Sequence, residues 1–277
     1  GVILRMKALK LGAVEDFPFI DAPSPRMIAD GYQLLNELGA VDDDNELTPI
    51  GRELAKLPLD PKIGRMILAA RDRGALREVL TIAAALSVQD PRERPPEQPG
   101  TADQAHAKFR SAPDEKGEPR SEFLWYWNLW QAADEVWRHE GSSKQKAWCK
   151  QHFLSWMRMR EWRDIHTQLH ELCAEHGWIH KAAKADKPER AGQKPAKEGA
   201  PQKAEIQPAS YEAIHKALLA GLLGHIGLKL EEASGPNVGA YQGARGIKFW
   251  RHPGSFLAKR AGKWIMAAEL IDTSRLY

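Results

Sequence analysis

The sequence is poor in cysteine, with only Cys149 and Cys173 among 277 residues. Disulfide bonds therefore cannot form its framework, and we expect a reducing compartment. It also lacks any apolar run near the roughly 18 residues that a membrane span requires. The opening residues GVILRMKALKLG have neither the flanks nor the small-residue cleavage site of a signal peptide. These absences predict a cytoplasmic protein with no membrane partner.

Signals for a metal site are weak. The pairs Cys149-x-x-His152 and Cys173-x-x-His176 could together offer two sulfur and two nitrogen ligands to zinc. Both pairs lie within or at the end of a helical segment without knuckle glycines, so buried cysteines are the simpler interpretation. The acidic run 42–44 lacks EF-hand spacing and is typical of a solvated turn. We therefore predict no metal site.

The length favours more than one domain, because a usual single domain has roughly 100 to 200 residues. Apolar residues at 43% and charged residues at 28% are typical of a compact globular fold. The net charge of +3 is small, so the local clustering of cations matters more than their total. Residues 181–207 are almost purely Ala, Lys, Pro, Glu and Gly. Such a segment cannot bury enough apolar surface to fold, which predicts a flexible linker or insertion.

Residues 1–58 are predicted to form a winged-helix domain. Ser24 and Pro25 suit the capping and first positions of a helix, and Gly39 suits its end. Residues 41–48 then enter and leave a turn rich in Asp and Asn, which predicts a short hairpin. A helix followed by a hairpin is the order of a winged helix.

Residues 59–180 are predicted to form a helical bundle. The apolar periodicity of residues 58–89 indicates two helices that are broken at Gly74. The second of these helices is apolar on nearly all sides, so we expect it to be a buried scaffold.

Another helix is predicted over residues 121–141, which are rich in aromatic side chains. Trp127 and Trp130 lie on its main apolar stripe, and aromatic residues at helical spacing usually face inward. Trp125 and Asn128 lie off this stripe, which makes them better candidates to contact a ligand.

The segment from Lys144 to Cys173 is predicted to be one long helix. Four side chains, spaced four residues apart, would form a ridge on it: Trp148, His152, Trp156 and Arg160. Cations are frequent in the same segment, namely Lys144, Lys146, Lys150, Arg158, Arg160 and Arg163. Such a surface could contact phosphates and unstacked bases. The rings could equally pack inward while the cations solubilise the helix, and the residues alone leave both readings open.

Residues 208–277 begin with an Ala/Leu-rich helix and continue as short alternating segments separated by glycines. This pattern predicts a small OB-like β-barrel, complete or truncated. Its basic residues, which include Arg245 and Lys248, outnumber the acids until Glu269. That balance suits contact with a phosphate backbone, although a merely soluble barrel face remains an alternative.

Four stretches of the chain carry a further indication. They read LTPIGRELAKLPLDPKIGRMIL, LREVLTIAAALSVQDPRERP, WCKQHFLSWMRMREWRDIHTQL and YQGARGIKFWRHPGSFLAK…WIMAAELIDTSRLY. Together they resemble successive signatures of the C-terminal accessory region of DEAH-box RNA helicases, most of all the bacterial HrpA type. The resemblance implies a mainly α fold with a smaller β part: a winged helix, a ratchet-like helical bundle and a C-terminal OB-like barrel.

That family joins these parts to two RecA-like domains, which bind ATP and Mg²⁺. This sequence has neither a G-x-x-x-x-G-K-[ST] phosphate loop nor a DEAH tetrad, so the chain alone is not expected to hydrolyse ATP or to hold a cofactor. The resemblance implies an accessory region of an ATP-dependent 3′-to-5′ RNA helicase. Its implied partners are single-stranded RNA, the RecA-like domains of the same chain and a protein regulator.

The resemblance also implies RNA-contacting positions in the helical part and in the barrel. To these we add Trp156 from the ridge and two basic barrel residues. The predicted RNA-binding set is Asn128, Trp156, Arg160, Arg163, Arg245, Lys248, His252, Ser255 and Lys259.

Two other function classes remain to be distinguished. A regulatory protein-docking platform would expose apolar patches rather than basic grooves. A winged-helix DNA regulator would need a basic recognition helix, and residues 25–38 contain only one cation, Arg26. The sequence therefore argues against the DNA regulator and leaves the docking platform as the alternative.

Overall fold

The computed structural model describes residues 1–111, 121–179, 207–231, 237–257 and 262–272, together with Gly235 and Leu276. Its helices are α1 (Val2–Leu9), α2 (Pro25–Glu37), α3 (Pro49–Ala55), α4 (Pro61–Arg71), α5 (Leu76–Leu86), α6 (Pro99–Ala107), α7 (Phe123–His139), α8 (Ser142–Gln151), α9 (Trp156–Glu175) and α10 (Tyr211–Gly221). Its strands are β1 (Ile226–Lys229), β2 (Ala240–Gln242), β3 (Lys248–Trp250) and β4 (Trp264–Met266). The mainly helical fold with a smaller β part is confirmed. Apart from Gln207, the linker predicted over residues 181–207 lies outside the described residues.

The helix of the winged-helix part begins and ends as the sequence indicates. The side chain of Ser24 accepts a hydrogen bond of 3.3 Å from the amide of Met27, which satisfies one of the unpaired donors at the start of α2. Gly39 follows the helix with a φ of 69°, a left-handed conformation that favours glycine. Thr48 caps α3 in the same way, since its hydroxyl accepts from the amide of Gly51 at 3.0 Å.

The predicted hairpin is reduced to its shortest form. Val41 and Leu47 form one antiparallel bridge. Between them, Oδ1 of Asp42 accepts hydrogen bonds from the amides of Asp44 and Glu46 at 3.1 and 2.8 Å. The carboxylate of Asp42 therefore closes the turn by accepting from backbone amides within it.

Helix α5 is the centre of the helical part. Its Val79, Ile82 and Ala83 are fully buried, and α4, α7, α9 and α10 pack around it. Burial of each large aliphatic side chain stabilises the fold by about 1.5–3 kcal/mol. The predicted break between α4 and α5 is confirmed at Gly74, which has a φ of 66°. Among the described helices, none is both long and apolar enough to cross a membrane.

The prediction of one helix from Lys144 to Cys173 is wrong, because the chain turns between α8 and α9. Phe153 has a left-handed φ of 54°. Its carbonyl accepts from the amide of Glu93 at 2.8 Å, and the amide of Ser155 donates to the carbonyl of Pro91 at 2.8 Å. The backbone here pairs with a distant loop instead of continuing the helix, and no local glycine or proline signals the break.

The inward face of α7 also differs from the predicted stripe. Trp125 was expected to face a ligand, but it is only 2% exposed, and its Nε1 donates a 2.7 Å hydrogen bond to the carbonyl of His106. Phe109 lies edge-on to the same indole at 6.1 Å between ring centroids. The segment that ends α6 covers this side of α7, so tertiary packing overrides the periodicity. Trp130 packs inward as predicted, 5.1 Å from the ring of Trp162.

The C-terminal part consists of α10 and a four-stranded antiparallel sheet in the order β3-β2-β1-β4. Helix α10 packs closely on α4: a side chain at Gly221 would approach the carbonyl of Lys62 to 2.4 Å. Within the sheet, Tyr241 and Phe249 are buried on one face. In the described residues β3 and β4 do not pair, so the sheet is open and the closed OB-like barrel is not confirmed.

Candidate nucleic-acid interface

A cation and indole cluster lies where α8 meets α9. Lys146 Nζ lies 4.5 Å from the ring centroid of Trp156, and Cζ of Arg160 lies 5.0 Å from it. Lys146 and Arg160 are exposed, whereas the ring is half-buried. The indole Nε1 is buried and has no hydrogen-bond partner in the described part of the chain. The cluster presents one ammonium and one guanidinium charge beside one flat ring.

The predicted four-residue ridge is divided by the break between the helices. Trp148 and His152 stack on each other at 4.4 Å between centroids, and both rings also lie within 6.1 Å of Phe109. This half of the ridge packs inward. Trp156 and Arg160 belong to the outer half, for which contact with phosphates and bases stays a prediction.

Arg163 lies beside this cluster in a shallow groove between α7 and α9. The groove is lined by Trp130, Ala133, Asp134, Trp137, Met159 and Arg163. Among the described residues no carboxylate lies within 4 Å of the cationic groups of Lys146, Arg160 or Arg163. The positive charge of this face is therefore not neutralised by close ion pairs.

Asn128 and Ser255 each join α7 to another segment of the chain. Asn128 Nδ2 donates to the carbonyls of Phe109 and Arg110 at 3.2 and 3.1 Å. Ser255 Oγ donates to Oε2 of Glu122 at 2.8 Å. The side chain of Asn128 thus holds the segment after α6 against α7, and Ser255 joins the turn after β3 to the start of α7.

The same turn has two further polar contacts. His252 Nδ1 accepts from the amide of Gly254 at 3.0 Å, and Cζ of Arg110 lies 4.9 Å from the ring centroid of Phe256. His252 is exposed. The turn therefore holds the imidazole of His252 at its surface, and the ring of Phe256 lies under the cation of Arg110.

An ion pair that the sequence reasoning missed lies next to this junction. The guanidinium of Arg92 donates three hydrogen bonds of 2.5 to 3.0 Å to the carboxylate of Asp90, and it lies 5.0 Å from the ring centroid of Trp125. Burial alone would raise the pKa of Asp90, but the hydrogen bonds and charge of Arg92 outweigh burial and hold that pKa below its usual range. Burial and the neighbouring Asp90 raise the pKa of Tyr126, so this phenol stays a hydrogen-bond donor. In the sequence, this ion pair is indicated only by the Asp-x-Arg spacing at the start of DPRERP.

The predicted residues of the sheet differ in their surroundings. Arg245 Nη2 donates to Oε1 of Glu37 at 2.5 Å, so its charge is neutralised by α2. Lys248 is exposed, and in the described residues no carboxylate lies within 4 Å of it. Lys259 lies outside the described residues.

The cysteine and histidine pairs do not converge in the described part of the chain, where no group of three or more His, Cys, Asp or Glu could hold a metal ion. Both thiols are buried. Burial raises the pKa of Cys149 to about 12 and that of Cys173 to about 11. Neither thiol is therefore a thiolate near neutral pH.

The structure thus distributes the predicted set over separate places. Trp156, Arg160 and Arg163 lie on the outer face of α9, and we call this surface, together with Lys146 of α8, the α8–α9 face. Ser255 and His252 lie in the turn after β3, which meets the start of α7, whereas Asn128 of α7 contacts the segment after α6. Lys248 lies on β3, and Arg245 lies in the turn before it.

Two family models match the chain. Residues 32–59 match the winged-helix part of the helicase-associated (HA2) domain, and residues 60–155 match its ratchet-like part. The first match agrees with α2 and the short hairpin that follows it, and the second agrees with the helices packed around α5.

Several curated proteins are similar to the chain. It is 40% identical over 282 residues to the ATP-dependent RNA helicase HrpA of Escherichia coli, and the match covers 100% of the chain and 19% of that protein. It is 38% identical over 284 residues to the HrpA homolog of Haemophilus influenzae, again with 100% and 19% covered. It is 33% identical over 179 residues to the human probable ATP-dependent RNA helicase DHX34, covering 65% of the chain and 15% of that protein. The chain therefore spans about a fifth of the length of its bacterial relatives, and it belongs to the helicase-associated region of the HrpA-type DEAH-box family.

Proposed function

We propose that this chain is the part of an ATP-dependent 3′-to-5′ RNA helicase that holds single-stranded RNA. RecA-like domains elsewhere in the whole protein would bind ATP and Mg²⁺ and drive movement. The names of the HrpA relatives support the helicase activity of the whole protein, and the chain contributes the accessory surface.

The observation that carries this proposal is the α8–α9 face. Lys146 and Arg160 lie within 5.0 Å of the Trp156 ring, and in the described residues their charges have no carboxylate within 4 Å. Cations of this kind attract phosphates and release the counterions that surround them. An indole beside them offers a stacking surface for bases of any sequence. Together they favour sequence-tolerant binding of single strands.

The junction of α7 with the sheet supports the same function. Arg110 and His252 bring a cation and an imidazole to this junction, since Arg110 lies over Phe256 in the same turn as His252. The contact between Ser255 and Glu122 fixes the sheet turn against the helical part. A strand held on the α8–α9 face could therefore meet a second rigid contact region on the same body.

A protein-docking platform of the same helicase is the second candidate. Large apolar side chains near the start of the chain are exposed, with Leu9 at 68%, Ile20 at 103% and Met27 at 65%. Exposed apolar side chains mark a surface for protein partners where they form one contiguous patch. If this reading is right, the chain binds RNA weakly, and a partner protein protects the backbone amides of these three residues from hydrogen exchange and the Met27 thioether from oxidation.

The test is fluorescence anisotropy of the 277-residue chain with a labelled single-stranded RNA and with the matching duplex. We expect tighter binding of the single strand, which the variant Arg160→Glu/Arg163→Glu loses. The matched control is Arg5→Glu/Arg26→Glu, which makes the same change of charge on exposed residues of α1 and α2. The proposal fails if the chain binds neither RNA at low salt, or if both variants lose affinity equally.

A further inference from the structure

A cavity of about 290 Å³ lies where the winged-helix part, the helical part and the sheet meet. It is bounded by α2, by the start of α4, by the chain that runs from α10 into β1 and by the turn before β3. Pockets for small ligands usually measure about 300–1,000 Å³, so the cavity suits a molecule at the small end of that range. Of the predicted RNA-contacting residues, only Arg245 lines it.

The uncompensated charge of the cavity belongs to Lys62, which is half-buried. Its Nζ lies 3.4 Å from Nε2 of His225. An ammonium can only donate, so Nε2 accepts, and the proton of the neutral imidazole is on Nδ1, which donates to the carbonyl of Ala268 at 3.2 Å. Among the described residues no carboxylate lies within 4 Å of the Lys62 ammonium. The cavity therefore offers a cation that is held in place by a neutral acceptor.

The other charges around the cavity limit the charge of a ligand. Arg245 is already paired with Glu37, whose Oε1 accepts from Nη2 at 2.5 Å. Asp30 also lines the cavity, and Glu269 lies close enough to act on the imidazole. These three carboxylates oppose a dianion such as phosphate. A single negative charge, by contrast, can pair with Lys62.

Most of the remaining lining is apolar and partly open to solvent. Leu223 and Ile247 are 42% and 40% exposed. An aliphatic chain laid against them would remove this apolar surface from water, which is favourable. The large apolar side chains that line the cavity are Leu34, Leu38, Leu223, Ile247 and Leu270.

We propose that the cavity binds a small aliphatic monocarboxylate, a short-chain fatty acid, with its carboxylate on Lys62 and its chain against the apolar lining. The ligand carboxylate pairs with the ammonium in place of Nε2 of His225. Nε2 can then take a proton from water and donate a hydrogen bond to the same carboxylate. The inference goes beyond the proposed RNA-holding function and does not depend on it.

Proton uptake follows from the surroundings of the imidazole. Without a ligand, burial and then the charge of Lys62 lower the pKa of His225, while Glu269 and the carbonyls of Ala267 and Ala268 act in the opposite direction. A carboxylate beside the ring raises that pKa. Binding therefore takes up a proton, and the affinity for the monocarboxylate rises as the pH falls.

The experiment titrates the 277-residue chain with hexanoate, butanoate, hexanamide and inorganic phosphate, and follows its backbone amide signals by NMR. Hexanoate should shift the signals of Gly224 and Ala244, which line the cavity, with a dissociation constant on the order of 1 mM. Butanoate should bind about tenfold more weakly, since two CH₂ groups are lost from the apolar contact. Hexanamide lacks the negative charge and phosphate carries too much, so neither should shift these signals at the same concentrations.

Three variants assign the contacts. Lys62→Met removes the ammonium but keeps a long side chain, and it should abolish hexanoate binding. The matched control Lys56→Met removes the same charge from an exposed residue outside the cavity and should leave binding unchanged. From pH 8 to pH 6 the affinity of the unchanged chain for hexanoate should rise about three- to tenfold. His225→Asn keeps a donor for the carbonyl of Ala268 but does not titrate, so it should lose this rise.

The contrary results are distinct. Shifts that do not saturate, or that lie away from the cavity, would overturn the site. Equal affinity for hexanoate and hexanamide would overturn the role of the ammonium, and this comparison uses the unchanged chain, so it holds even if Lys62→Met does not fold. A pH dependence that survives in His225→Asn would overturn the proton uptake. RNA binding is measured separately, so failure of this site leaves the proposed function standing.

Discussion

The hydroxyl of Ser255 donates a 2.8 Å hydrogen bond to Oε2 of Glu122, the residue that precedes α7. Ser255 also accepts from the amide of Leu257 at 3.2 Å, so it is fixed within its own turn while it holds the helix. This contact ties the turn after β3 to the helical part, together with the packing of Phe256 under Arg110.

We expect Ser255→Ala and Glu122→Ala each to lower the free energy of unfolding by about 1–2 kcal/mol, because a hydrogen bond to a half-buried carboxylate is lost. Urea denaturation of both single variants and the double variant measures their coupling. Glu122→Gln is the matched control, since its side chain keeps an acceptor oxygen and should lose less. Fully additive single effects would show that the two residues do not act as a pair.

The close packing of α10 on α4 predicts a strong effect at Gly221. A Cβ at this position would lie 2.4 Å from the carbonyl oxygen of Lys62 and 2.6 Å from Cγ of Met66. Since backbone is one of the obstacles, Gly221→Ala should destabilise the fold by about 1–3 kcal/mol. Thermal unfolding of Gly221→Ala beside Gly100→Ala provides the comparison, because nothing lies within 4 Å of a Cβ at Gly100. Equal melting temperatures for the two variants would contradict the packing.

His166 predicts a loss of stability in mild acid. Burial is the main cause that lowers the pKa of His166 to about 4; His170 and Arg163 act in the same direction, whereas Asp134 opposes them. The unfolded state binds this proton near pH 6.5, so the contribution is fully present above that pH and is lost as pH falls towards 4. The free energy of unfolding should be about 2 kcal/mol lower at pH 5 than at pH 7.5.

Urea denaturation across this pH range tests the assignment. His166→Gln should flatten the dependence, while His139→Gln, which changes an exposed side chain, should leave it as it is. A residual slope is expected, because burial also lowers the pKa of His106 and of His225. An unchanged slope in His166→Gln would show that another group titrates.

Local signals were sufficient for the first part of the fold. Ser24 and Gly39 mark the ends of α2 because capping and left-handed glycine act within a few residues. The break between α8 and α9 was beyond such reasoning, since Phe153 and Ser155 turn away from the helix to pair with the distant loop at Pro91. Periodicity alone cannot show a contact of this range.

Only the part of the candidate site that depends on spacing within one helix could be predicted from the sequence. Trp156 and Arg160 share a surface because they lie four residues apart on α9, and that spacing can be read directly. Lys146 joined them only through the turn between the helices. The sequence could not show that Glu37 neutralises Arg245, because 208 residues separate the two side chains.

The most direct measurement is the salt dependence of single-stranded RNA binding by the unchanged chain and by Arg160→Gln/Arg163→Gln. If both guanidiniums contact phosphates, the slope of log K against log salt should fall in magnitude by about 1.4, or about 0.7 for each lost contact. The control Arg5→Gln/Arg26→Gln removes the same charge from α1 and α2 and should leave the slope unchanged. A slope that stays the same in Arg160→Gln/Arg163→Gln would contradict the assignment of the α8–α9 face as the surface that holds RNA.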